Sequence, residues 1–108
     1  MRTLFAAAVA LSLTTPAAAD MMSSAVDCLV SVETLRTLRP APDATIRRGF
    51  EKADRYIMNR FSDDLAATIA VRMNAVLEAV AAAPKDQAAR GLAEVADRAC
   101  KEVWNGEP

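Results

Sequence analysis

The sequence predicts an all-α fold, a small up-down-up-down four-helix bundle stapled by one disulfide, and three observations predict it. Beyond residue 22, apolar residues recur at spacings of three and four. No run of alternating β-branched residues marks a strand. The two cysteines, Cys28 and Cys100, fall on the first and last of the helices so defined.

The N-terminal segment reads differently from the rest. Arg2 precedes an uncharged apolar run from Leu4 to Leu13, followed by Pro16 and by the small residues Ala17 and Ala19. A bilayer span takes about 20 apolar residues, whereas a secretory signal needs roughly 7 to 15 and then small residues at the cleavage subsites. Residues 1–19 are therefore expected to be a removed signal peptide, and residues 20–108 a single helical domain.

The first helix is expected to begin near Ser23 or Ser24, with Ala25, Cys28, Leu29, Val32 and Leu35 on its apolar face. Pro40 and Pro42 end it, and Asp43 or Thr45 caps the next. The second helix carries Ile46, Phe50, Ala53, Ile57 and Phe61 on one face, with Arg48, Lys52 and Arg55 nearly opposite. The third places Leu65, Ile69, Met73, Val76 and Val80 on a stripe, while Arg72, Asn74 and Glu78 argue against a membrane span. Pro84 closes it. The fourth turns Leu92, Ala96, Ala99 and Val103 inward, carries Arg90, Glu94, Arg98 and Glu102 outward as an ion-pair ladder, and stops at Asn105 and Gly106.

One boundary admits two readings. Ser62, Asp63 and Asp64 look like a helix start, because a serine caps exposed N–H groups and acids suit the positive end of a helix dipole. The apolar series 57, 61, 65, 69 nevertheless passes through in phase. The alternative is three helices with residues 44–83 as one long helix, about 60 Å at 1.5 Å per residue. The break is preferred, since such a rod is long for so small a chain.

Both topologies bring Cys28 and Cys100 to one level, so a bridge between them is expected. A small exported chain buries only about 60 to 65% of its unfolded surface, and a disulfide offsets that weakness. No CxxC spacing suggests a redox role.

Composition narrows the function. Without Arg2 the chain has 12 basic and 14 acidic side chains, so no global field attracts nucleic acid or an anionic membrane. Histidine is absent, which removes the commonest general base and metal ligand and every Ser-His or Cys-His arrangement. The carboxylates Asp63, Asp64, Glu51 and Asp54 suit capping or ion pairing, and Gly49 and Gly91 stand alone inside helices rather than in a phosphate loop. Met21, Met22, Met58 and Met73 are scattered as core fillers are, not clustered as soft-metal ligands are. No enzyme activity, cofactor or metal is expected.

The surface singled out is the basic stripe of the second helix, Arg47, Arg48, Lys52 and Arg55, flanked by Tyr56, which suits an acidic partner. The expected function is that of an exported, non-catalytic protein-binding partner, inhibitor or accessory subunit acting on another periplasmic protein. The alternative is a stress chaperone that opens at low pH through carboxylates paired with arginine. Arginine outnumbers lysine and alanine is abundant, a bias of GC-rich bacterial genomes. With the export signal, this places the protein in the periplasm of a Gram-negative bacterium, or alternatively in the medium.

Overall fold

A computed structural model describes residues 20–38 and 43–106. The expected signal peptide, residues 1–19, and the prolines Pro40 and Pro42 lie outside the described residues. Four helices follow in order: α1 Asp20–Leu35, α2 Ala44–Asn59, α3 Asp63–Ala82 and α4 Lys85–Asn105. The described residues contain no strand.

The chain is already helical at Asp20, upstream of the serines expected to cap α1. Met21 and Met22 pack against the core, and that burial prolongs the helix past a favourable cap residue. Ser24 instead sits inside α1, where its hydroxyl donates to Glu102 Oε2 of α4 at 3.2 Å.

The other boundaries follow local chemistry. Asp43 caps α2 by accepting from the Ile46 N–H at 2.9 Å. At the disputed junction, the Arg60 N–H folds back to Ile57 O at 3.0 Å, and Ser62 Oγ accepts from the Leu65 N–H at 3.1 Å. The rod 44–83 is thereby excluded: a serine cap with two acids in the first turn outweighs an apolar series that happens to stay in phase. Pro84, which lacks an N–H, leads directly into α4 at Lys85. At the far end of α4 the Gly106 N–H returns to Val103 O at 3.2 Å.

Helix α1 is the centre of the molecule. It runs antiparallel to α4, since Met21 lies beside Gly106, Ser24 beside Glu102 and Cys28 beside Cys100. Helix α2 runs alongside α4 in the same direction, with Gly49 against Cys100 and Lys52 near Trp104 and Gly106. Helix α3 rests chiefly on α1 and touches α4 only slightly.

Because neighbours lie on several sides, α1 is buried around most of its circumference. Val26 and Val30, outside the expected stripe, are as covered as Ala25, Cys28, Val32 and Leu35. Its buried hydroxyls are satisfied by carbonyls one turn back, Ser31 by Asp27 O at 2.5 Å and Thr34 by Val30 O at 2.9 Å. Leu92, Ala96, Ala99 and Val103 of α4 face inward as expected.

The Cys28–Cys100 disulfide forms, with Cα atoms 4.9 Å apart and both residues fully buried. It joins the middle of α1 to the C-terminal half of α4. A loop spanning 72 positions destabilises the unfolded chain by about 4 to 5 kcal/mol on the chain-entropy argument. Gly49 packs directly over this bridge. A Cβ there would stand 2.3 Å from Cys100 O and 2.7 Å from Cys100 Cβ, so glycine is what lets α2 reach the staple.

Candidate functional site

The basic stripe of α2 divides in the folded chain. Arg47, Arg48 and Arg55 are exposed. Lys52 donates to Trp104 O at 3.3 Å and to Gly106 O at 3.1 Å, placing its charge at the negative end of α4. Tyr56 packs its ring against the core, and the Arg60 guanidinium stacks over that ring at 3.7 Å. Glu51 and Asp54 are exposed on the same helix among these cations, which dilutes the local positive charge. Three free arginines therefore remain of the expected five-residue surface.

The ion-pair ladder on α4 does not form as expected. Glu102 is engaged by Ser24, and the pair present is Lys101 with Asp97 at 3.3 Å, both half exposed. Arg98 Nη2 is buried without a hydrogen-bond partner among the described residues.

A second surface was hidden in the sequence. The stripe Leu65, Ile69, Met73 and Val76 does pack toward the core, yet in all of α3 only Leu65 and Ala79 are buried. The opposite face exposes Ala67, Ala70, Val71, Asn74, Leu77, Glu78 and Ala81. Val71 is 69% exposed and Leu77 48%. A shallow open groove of about 290 Å³ is lined by Ala67, Thr68, Val71 and Arg72. Phe61 and Met58, at the corner before α3, are also more than half exposed. Within the described residues α3 is also the one helix long and apolar enough to cross a bilayer. Its excess apolar content was visible in the sequence; which side would be covered was not.

Polar contacts add to the apolar packing of α3. Arg72 Nη1 donates to the Asp27 carboxylate of α1, which is almost wholly buried, and the Thr34 hydroxyl reaches Met73 Sδ at 3.6 Å. Burial lowers the pKa of the Arg72 guanidinium, because desolvation disfavours the charged form. Asp27 opposes that shift, and an arginine remains a cation throughout the physiological range.

No group of three His, Cys, Asp or Glu side chains close enough to hold a metal ion occurs among the described residues. The methionines do not converge: Met21 lies beside Gly106, Met73 beside Thr34, and Met58 faces solvent. No family model, curated protein or solved structure matches the chain.

Proposed function

We propose that the chain is an exported, non-catalytic protein-binding module, a partner, inhibitor or accessory subunit in the periplasm of a Gram-negative bacterium. The observation that carries this reading is the uncovered apolar face of α3 around Val71 and Leu77. Apolar surface of this kind on a small water-soluble domain marks a place where another macromolecule sits. Export is supported by the apolar run Leu4 to Leu13 with Ala17 and Ala19 after it and by the buried disulfide, which is compatible with an oxidising compartment. Arg47, Arg48 and Arg55 supply a polar contact for an acidic partner and tune association rate more than affinity.

The test places a photo-crosslinking amino acid at Val71, and separately at Arg48, in the exported protein. A protein adduct at either position supports docking. Its absence at both, with normal accumulation, removes the proposal. Intact mass of the native product tests export: loss of residues 1–19 and two fewer hydrogens than the dithiol form are expected.

The Asp27–Arg72 pair favours a second reading, the chaperone that opens at low pH. Protonating Asp27 removes the charge that holds Arg72, and with it a polar tie between α1 and α3. Circular dichroism and a client-aggregation assay at pH 3 decide between the two: a protein that is fully folded and inactive there is no acid chaperone.

A further inference from the structure

We infer that the occupant of the exposed α3 face is a second copy of this chain, docked antiparallel through its own α3 about a two-fold axis at Asn74. The inference rests on the docking reading above and names its partner. In such an isologous contact, residues equally distant from the axis meet. Around Asn74 the pairs are complementary. Val71 meets Leu77, Ala67 meets Ala81, and Ala70 leaves room for Glu78 to reach the rim.

Charge sets the direction. The first turn of α3 carries the exposed acids Asp63 and Asp64, and Lys85, also exposed, stands just past its C-terminal end. Antiparallel docking brings Asp63 of each copy near the C-terminal end of the other α3, where Lys85 opens α4 with the exposed Asp86 beside it, and sets each helix N-terminus beside its partner's C-terminus. Parallel docking would put the acids against each other. At the axis, Asn74 meets Asn74 of the second copy. An amide both donates and accepts, so this residue pairs with itself and fixes the register, as a lone asparagine does in a helical seam. A net charge of −1 for the whole sequence raises little opposition to pairing.

Small side chains at Ala67, Ala70 and Ala81 allow the two helices to approach closely, and the Asp27–Arg72 tie presents α3 already formed. A single pair of 20-residue helices buries less than a standard interface. The dimer is accordingly a weak one.

Sedimentation velocity on the purified disulfide-bonded protein, over a concentration series up to the highest attainable, tests this. The weight-average mass should rise from monomer to dimer. Val71→Glu should weaken association at least about tenfold with an unchanged circular dichroism melt. Asp63→Lys and Lys85→Asp should each weaken it, and the double variant should restore it. A monomer throughout overturns the inference, as does a dimer indifferent to Val71→Glu. A dimer that responds to Val71→Glu but is not rescued by the double charge exchange overturns the antiparallel arrangement. If the protein is monomeric and a crosslinker at Val71 still traps a different exported protein, self-pairing fails while the docking surface stands. A monomer with no adduct removes both.

Discussion

Helices α1 and α3 are alike in apolar character and opposite in fate. Both are mostly apolar with three valines each, and each carries one ionisable residue of the same ion pair, Asp27 on α1 and Arg72 on α3. Helix α1 is covered by α4, α2 and α3, so even Ser24, Asp27, Ser31 and Thr34 are buried. Among the described residues helix α3 has one substantial neighbour, α1, and Val71 and Leu77 are exposed. Apolar content therefore says that a helix seeks cover, but the number of neighbours decides how much it receives.

The strongest way to break the contrast is to release α1 from α4. Cys28→Ser or Cys100→Ser should cost about 4 to 5 kcal/mol, lowering the melting temperature by roughly 20 °C or more in a calorimetric scan. A variant as stable as the parent would show that packing alone holds α1. Gly49→Ala comes next. The added methyl meets backbone and Cβ atoms of the staple rather than a pliable side chain, so about 2 to 3 kcal/mol should be lost in chemical denaturation.

Removing Asp27 with Asp27→Ala leaves Arg72, itself about a third exposed, without its carboxylate. A loss of about 1.5 to 3 kcal/mol is expected. The solvent-screened pair Lys101–Asp97 serves as the control, and Asp97→Ala should change stability by less than about 1 kcal/mol. Equal losses from the two substitutions would mean that the tie between α1 and α3 is no stronger than a surface contact.

The smallest effect sharpens the comparison most directly. Val32→Ala in α1 should cost about 1 to 2 kcal/mol, because the methyls it removes are buried. Val71→Ala in α3 should be near neutral for the stability of the monomer, within about 0.5 kcal/mol. Urea melts at low protein concentration measure both.

Much of the fold was legible before any tertiary contact was considered. Asp43 and Ser62 are caps because a short side-chain oxygen reaches the N–H three residues on, and that chemistry depends only on neighbours in the chain. The pairing of Cys28 with Cys100 followed from helix order. The surface was less legible. Lys52 looked like a free cation on a polar face, yet its ammonium lies beside carbonyls 52 and 54 residues away. Ser24 looked like a cap and serves as a donor to Glu102.

The sequence by itself determined four helices, the caps at Asp43 and Ser62, the staple and the lack of histidine, since periodicity, capping and residue type act over a turn or two of chain. Only the tertiary structure decided that α1 lies at the centre, that an apolar face of α3 is exposed among the described residues and that the α2 stripe lends a cation to α4. Those outcomes depend on which helices become neighbours, and burial is a property of the assembled packing rather than of any one segment.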